Sequence, residues 1–229
     1  MSKAIKTVKS KSQLQSLLSN VHKGKDLLNK WIDLDPIYVG EKTKANYLES
    51  IHKQLIESTR KITIEGHWCE FGVREGRSLT WLIDQYPQQV IHAFDSWKGL
   101  PEEWNHGTGK VADMACDPPT VPGHIHLHEG WFKDTLPVWK QQNKGPIAFL
   151  HMDADIYSST KEVLVALNEQ IVKGTVITFD EFCNFRLTEK MSKWQDQEFL
   201  ALIEWLDECN RKIIPLNRNW AYQASCVVL

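Results

Sequence analysis

Residues 67–82 have the sequence HWCEFGVREGRSLTWL and contain the clearest structural signal in the chain. The apolar run that ends at Phe71 predicts a short buried strand, and the pattern from Ser78 onward predicts a helix. Between them, Gly72 and Gly76 turn the chain. Glycine lets a ligand approach the backbone closely, and the first N–H groups of a helix lack intrahelical partners. Together the strand, turn and helix predict a cradle for a nucleotide-like ligand.

The glycine spacing differs from the dinucleotide-binding pattern G-x-G-x-x-G. Position 74 is Arg, and no third glycine follows Gly76. Taken alone, the fragment also fits an ordinary strand-to-helix turn, so its function must be argued from the rest of the chain.

The composition is that of a globular protein without a strong global charge. The chain has 229 residues, of which 42% are hydrophobic and 24% charged, and its net charge is −2. This length accommodates one domain with a small appendage. The charge balance does not favour nucleic acid or a membrane surface as a partner. The absence of a long apolar run and of a signal-type N-terminus, together with five cysteines without metal-binding spacing, predicts a cytoplasmic protein with reduced thiols.

Strand and helix patterns alternate after residue 60. Beyond the first strand, the sequence predicts strands at residues 89–94, 125–128, 146–152, 174–179, 212–215 and 224–228. The alternation predicts a parallel sheet with helices on both faces, and the last two strands should form an antiparallel hairpin because no helix separates them. The predicted fold class is therefore α/β, a doubly wound seven-stranded sheet, mostly parallel with an antiparallel C-terminal hairpin.

Helical patterns flank these strands. They predict helices at 41–59, 159–172 and 189–207. Residues 1–60 are expected to form a helical extension packing on a core domain at 61–229. A long connection from Trp97 to Gly123 is rich in proline and glycine, which is typical of functional or mobile loops.

Acidic residues follow or end the first five predicted strands. They are Glu70, Asp95, Glu129, Asp153 and Asp180. Ligands of open α/β sheets bind outside the carboxyl ends of the strands. Each acid alone could cap a helix or lie in a loop, but as a set they predict a site for cations or hydrogen-bond donors. Asp95 is placed to accept both ribose hydroxyls of a nucleoside, and Asp153, Asp180 and Glu181 could share one divalent cation.

These motifs resemble the class I S-adenosylmethionine-dependent methyltransferases, and within them the macrocin O-methyltransferase (TylF-like) family. The matching stretches follow the family order at residues 70–73, 76–78, 94–101, 130–137, 152–160 and 176–182. The resemblance implies a Rossmann-like fold and methyl transfer to a hydroxyl of a small molecule such as a sugar. Residues 1–60 and those after 183 contain no motif that we can place.

The resemblance also implies roles for individual residues. It implies that the amino-acid part of the cofactor is bound by Glu70, Gly72, Gly76 and Ser78. The ribose would be bound by Asp95 with Ser96, and the adenine by Gly130 with Trp131. The family's metal ligands correspond to Asp153, Asp180 and Glu181. The chain departs from the family here, because Glu181 stands where the family usually has a second Asp, and its carboxylate reaches one methylene further.

The chemistry of methyl transfer fits these residue types. An acceptor hydroxyl is a poor nucleophile near neutral pH, so a bound Mg²⁺ that lowers its pKa and a carboxylate that takes its proton would both help. Asp153 is the expected proton acceptor. His151 and His128 are alternatives near strand ends, His151 the closer to the acids, although a core histidine is a more common finding.

Two other functions remain open from the sequence. Asp153-Ala154-Asp155 after an apolar strand resembles the D-x-D motif of metal-dependent nucleotide-sugar glycosyltransferases, although the glycine turn would then have no role. A non-catalytic ligand-binding protein on the same fold is the second alternative. The sequence names neither the acceptor nor the oligomeric state, so a homo-oligomer remains open.

Overall fold

The computed structural model describes residues 9–37, 44–104 and 110–229. Its seven strands are β1 (His67–Phe71), β2 (Ile91–Asp95), β3 (Ile125–Glu129), β4 (Ile147–Met152), β5 (Ile171–Phe179), β6 (Ile213–Arg218) and β7 (Ala224–Val228). They form one sheet in the order β3-β2-β1-β4-β5-β7-β6. The first five strands pair in parallel, whereas β7 is antiparallel to both β5 and β6. The predicted Rossmann-like sheet with a C-terminal antiparallel hairpin is confirmed.

Helices cover both faces of this sheet. They are α1 (Lys11–Leu14), α2 (Lys25–Asp33), α3 (Lys44–Thr59), α4 (Arg77–Gln85), α5 (Phe132–Gln142), α6 (Tyr157–Ala166) and α7 (Glu198–Glu208). One hydrophobic cluster packs α2 and α5–α7 against the sheet, and a second packs α3 and α4. Among the described residues, every helix is too short or too polar to cross a bilayer.

Two predicted helices have different boundaries in the structure. The segment predicted as one helix at 189–207 contains two 3₁₀ turns, Glu189–Met191 and Trp194–Asp196, before α7 begins at Glu198. Gln197 interrupts the helix with φ −114° and ψ −131°, and its side chain accepts a hydrogen bond from the Tyr157 N–H. The predicted helix 159–172 ends earlier, because Ile171 already pairs with Ile147 in the sheet.

The N-terminal segment is bound to the last hairpin of the chain. Trp31 of α2 is fully buried, and its Nε1 donates to the Ser225 carbonyl at 2.9 Å. Arg218, 2% exposed, donates from Nε to the Trp31 carbonyl at 2.8 Å. Arg218 thereby satisfies a carbonyl near the C-terminus of α2, where a positive charge is favourable.

Histidines of β1, β2 and β3 gather around His92. His92 is buried with its Nδ1 3.2 Å from Nε2 of His128, and the rings of His126 and His67 lie 5.2 and 5.5 Å from the His92 ring. Burial first, and then the neighbouring imidazoles, lower the pKa of His92 to about 3. Burial and His126 lower the pKa of His128 to about 4. Both rings are therefore neutral in the folded protein near neutral pH.

This cluster should destabilise the fold in mild acid. The unfolded chain binds a proton at a histidine pKa near 6.5, whereas folded His128 binds it only near 4. The unfolded state holds more protons between these values, so stability is lost as the pH falls through this window. Replacing His128 with Phe keeps the ring stacked on Phe94, whose centroid lies 4.4 Å away, and removes a titrating group. We expect the unfolding free energy of His128→Phe to fall less than that of the wild type between about pH 7 and about pH 4.5.

Urea denaturation at a series of pH values measures this difference. His22→Gln, at an exposed histidine outside the sheet, is the matched control and should follow the wild type. Parallel losses of stability in wild type and His128→Phe would contradict the role of the cluster.

Candidate active site

The glycine turn lies against the end of β4. Gly72 has φ +87°, and a Cβ at this position would lie 1.7 Å from the Asp153 carbonyl oxygen. Only glycine therefore fits here without moving the backbone. Gly76 precedes α4 with φ +79°. The side chain of Pro119 lies 3.0 Å from the position that a Gly76 Cβ would take, so the connection after β2 reaches over the turn.

Asp95 holds the same turn from β2. Its Oδ2 accepts the backbone N–H groups of Val73 and Arg74, both at 2.8 Å, and its Oδ1 accepts the Trp97 N–H at 2.8 Å. Trp97 in turn donates from Nε1 to the Arg74 carbonyl at 2.9 Å. Both carboxylate oxygens retain further lone pairs, and Asp95 lines the cavity described below. Asp95 therefore shapes the turn and also faces the space above it.

Glu70 forms a buried hydrogen-bonded chain behind the turn. The Ser78 hydroxyl donates to Glu70 Oε1, and His151 Nδ1 lies 3.0 Å from the same oxygen. Glu70 and His151 are 0% and 1% exposed, and neither lines the cavity. Ser78 does line it. Glu70 and His151 can thus influence a ligand only through neighbouring groups in this conformation.

Four carboxylates form one wall of the cavity after β4 and β5. They belong to Asp153, Asp155, Asp180 and Glu181. Oxygen atoms of Asp153, Asp155 and Glu181 lie within 4.8 Å of one another. Asp180 stands beside this group, and its Oδ1 accepts from Gln223 Nε2 at 3.1 Å. Asp155 does not cap α6, because the N-cap is Ile156 and has no side-chain capping bond.

Burial and mutual repulsion make these acids hard to ionise. Burial, followed by Asp180 and Asp155, raises the pKa of Asp153 and of Glu181 well above the ordinary value. The pKa of Asp155 is raised to about 7 by burial and Asp180, with Arg74 acting in the opposite direction. Burial also raises the pKa of Asp180, against the influence of His151 and the Gln223 hydrogen bond. The wall therefore favours a proton or a cation among its oxygens.

The cavity itself has a volume of about 810 Å³, within the range of small-molecule sites. The glycine turn, Asp95, Gly130 and Trp131 all line it. The Gly130 N–H donates to the Asp95 carbonyl at 2.9 Å, which ties the end of β3 to that of β2.

Most of the residues singled out in the sequence converge on this cavity. Those that line it are Gly72, Ser78, Asp95, Ser96, Gly130, Trp131, Asp153, Asp180 and Glu181. Gly76 contributes by shaping the turn. Glu70 and His151 are buried and do not line the cavity, and Glu129 is exposed at the sheet edge.

The sequence did not reveal two groups of residues. Leu48, Ile51 and His52 of α3 also line the cavity. The helical spacing of Leu48 and Ile51 predicted a packed face but not what the face would contact. Glu198 and Gln223, which hydrogen-bond to the acid-bearing loops, stand in a region without a recognisable motif.

Comparisons with known proteins agree with this geometry. A family model described as a methyltransferase domain matches residues 69–182. Mycinamicin III 3''-O-methyltransferase of Micromonospora griseorubida is 23% identical over 193 residues, covering 73% of this chain and 71% of that protein. Demethyldecarbamoylnovobiocin O-methyltransferase of Streptomyces niveus is 23% identical over 186 residues, covering 69% and 70%.

A solved structure shows the same fold over nearly the whole chain. The calicheamicin methyltransferase CalS11 superposes with a TM-score of 0.59 at 22% identity, covering 99% of this chain and 94% of that one. The matched residues 69–182 include the glycine turn and the acids that follow β4 and β5. The chain is therefore similar to methyltransferases over the residues that carry the candidate site.

Proposed function

We propose that this protein transfers a methyl group from S-adenosylmethionine to a hydroxyl of a small molecule, such as a sugar moiety, with the help of a divalent cation. Both curated relatives are named O-methyltransferases, and one is named for a 3''-O position. We further propose a place among the macrocin O-methyltransferase (TylF-like) enzymes, which the motifs at 94–101 and 152–160 support.

The observation that carries this proposal is the position of the carboxylate wall. Asp153, Asp155, Asp180 and Glu181 share one cavity with the glycine turn. A cofactor on the turn and an acceptor on the acids would therefore occupy adjacent parts of one 810 Å³ space. Such proximity replaces a bimolecular encounter by an oriented one, which is a large part of what an enzyme contributes to a displacement reaction.

The acids fit a divalent metal. Asp153, Asp155 and Glu181 offer only oxygen donors, the type that Mg²⁺ prefers. Glu181 Oε2 is buried and has no hydrogen-bond partner among the described residues, so a ligand there would satisfy it. Asp153 and Glu181, with Asp155 as third carboxylate, would hold the cation. When bound, it would supply charge that lowers the pKa of an acceptor hydroxyl.

Residues of the protein would bind the cofactor and take the acceptor proton. Asp95 and the backbone of the glycine turn would bind the ribose and the amino-acid part of the cofactor, and Trp131 would cover the adenine. Asp153 lines the cavity beside the place proposed for the acceptor and would take the acceptor proton as general base. His151 is not needed for this step, because it is buried behind the wall and bonded to Glu70. Leu48 and Ile51 would exclude water from the acceptor side.

The glycosyltransferase alternative has weaker support. Asp153 and Asp155 do face the cavity together, as a D-x-D motif would require. However, the turn at Gly72 and Gly76 also lines or shapes this cavity. This turn would have no role in a glycosyltransferase, whereas in a methyltransferase it would bind the cofactor. The relatives reported above are methyltransferases.

Replacing Asp95 should weaken cofactor binding. In Asp95→Ala the ribose loses a charged acceptor, the glycine turn loses two backbone hydrogen bonds, and the Trp97 N–H loses a third. Charged hydrogen bonds contribute about 1.5–3 kcal/mol, so we expect roughly ten- to a hundredfold weaker binding of S-adenosylhomocysteine in calorimetry. Asp84→Ala, at an exposed position of α4, is the control. Unchanged affinity in Asp95→Ala would remove this residue from the cofactor site.

Activity should depend on a divalent cation and on particular acids. We expect methyl transfer to stop in excess chelator and to return with Mg²⁺. Asp155→Asn should weaken metal binding more than Asp180→Asn, because Asp155 belongs to the close group whereas Asp180 is engaged by Gln223. Cofactor affinity should change little in either variant.

Two results would count against this assignment. Full activity in chelator would exclude the metal and leave Asp153 as a simple general base. A larger effect of Asp180→Asn than of Asp155→Asn would instead favour the ligand set implied by the family resemblance.

A further inference from the structure

Glu198 is a buried carboxylate that bridges two loops of the candidate site. It is the first residue of α7 and is 0% exposed. Its Oε2 accepts the Glu181 backbone N–H at 3.0 Å. The backbone amide of Ala154 also stabilises its charged form. One side chain thus contacts the loop after β4 and the loop after β5, which carry all four acids of the wall.

Burying a carboxylate is unfavourable unless hydrogen-bond donors satisfy its oxygens. Burial, Asp180 and Asp155 together raise the pKa of Glu198 well above the ordinary value, and only two backbone amides oppose them. Its Oε1 has no hydrogen-bond partner among the described residues. A neutral side chain could cap one of these amides without adding to the repulsion. The hydrogen bond from the Glu181 N–H therefore ties this carboxylate to the loop that carries two of the four acids.

Glu198 does not belong to the ligand group itself. The oxygens that lie within 4.8 Å of one another come from Asp153, Asp155 and Glu181. Glu198 instead contacts the backbone beside these residues, which fixes where their carboxylates can reach. Groups that orient metal ligands in this way commonly change metal affinity by about ten- to a hundredfold when they are replaced.

We propose that Glu198 is a positioning residue that holds the loops at Ala154 and Glu181 so that Asp153, Asp155 and Glu181 converge on one divalent cation. This inference rests on the metal-assisted reaction proposed above. It adds a determinant of metal binding that lies in the C-terminal part of the chain, outside the residues matched by the family model.

Metal binding by the intact protein tests the proposal directly. Mn²⁺ is titrated into the wild type and the variants, and the free ion is followed by electron paramagnetic resonance. Glu198→Gln removes the charge and one acceptor, whereas Glu198→Asp keeps the charge but shortens the reach by one methylene. Both should bind Mn²⁺ about ten- to a hundredfold more weakly. S-adenosylhomocysteine affinity, measured by calorimetry, should stay within about twofold because Asp95 and the turn are untouched.

Glu204→Gln is the matched control on the same helix. Glu204 accepts from the Tyr157 hydroxyl at 2.5 Å and pairs with Lys161 at 3.4 Å. It contacts neither Ala154 nor Glu181 in the hydrogen bonds of the described residues, and its variant should bind Mn²⁺ as the wild type does.

The possible results separate the two proposals. Absence of Mn²⁺ binding by the wild type would overturn the metal site and this inference with it. Wild-type binding with equal affinity in both Glu198 variants would overturn only the role of Glu198. Normal binding in Glu198→Asp with weak binding in Glu198→Gln would show an effect of charge alone and would also reject positioning. Should Glu198→Gln fail to bind S-adenosylhomocysteine because it does not fold, Glu198→Asp decides the question.

Discussion

Repulsion among half-buried carboxylates is the constraint on which the architecture of this site depends. Asp153, Asp155, Asp180 and Glu181 follow adjacent parallel strands, so the sheet itself forces their charges together. The surrounding protein cannot screen them as water would. The structure tolerates this arrangement because Gln223 and the nearby His151 each offset part of the repulsion at Asp180. The repulsion that remains favours the binding of a ligand that carries positive charge.

The residues that hold the site in place come from parts of the chain that are distant in sequence. Asn219 accepts backbone N–H groups from Ala221, Tyr222 and Gln223, and its own amide donates to the Gln223 side chain. Gln223 is thereby oriented toward Asp180. The hairpin of β6 and β7 therefore belongs to the site as much as the strands that carry the acids. A rigid scaffold of this kind keeps catalytic groups oriented before the ligands arrive.

The sequence predicted the strands better than the helices, for a physical reason. Each central strand is an apolar run that ends in an acid, and both signals are local. The break at Gln197 depends instead on a hydrogen bond with Tyr157, forty residues away in sequence. The same limit applies to the site. Gly72 and Asp95 stand in recognisable turns, whereas Glu198 and Gln223 follow ordinary residue patterns and gain their roles only through tertiary contact. Asp155 could be read as a helix cap because its neighbours are compatible with one, yet its side chain faces the acids.

The contact between α2 and the last hairpin also determines when the fold can be completed. The Trp31 indole bonds to a carbonyl 194 residues later, and Arg218 reaches back 187 residues to the same tryptophan. During synthesis, α2 leaves the ribosome before any of these partners exists. Its apolar face, with Leu28, Trp31 and Ile32 all destined for the core, must therefore wait until almost the whole chain has emerged. Contacts of such high sequence separation slow folding and prolong the exposure of hydrophobic surface. Helix α2 is thus made early but reaches its final environment late, and a nascent chain that pauses before the final hairpin leaves Leu28, Trp31 and Ile32 without the partners that bury them.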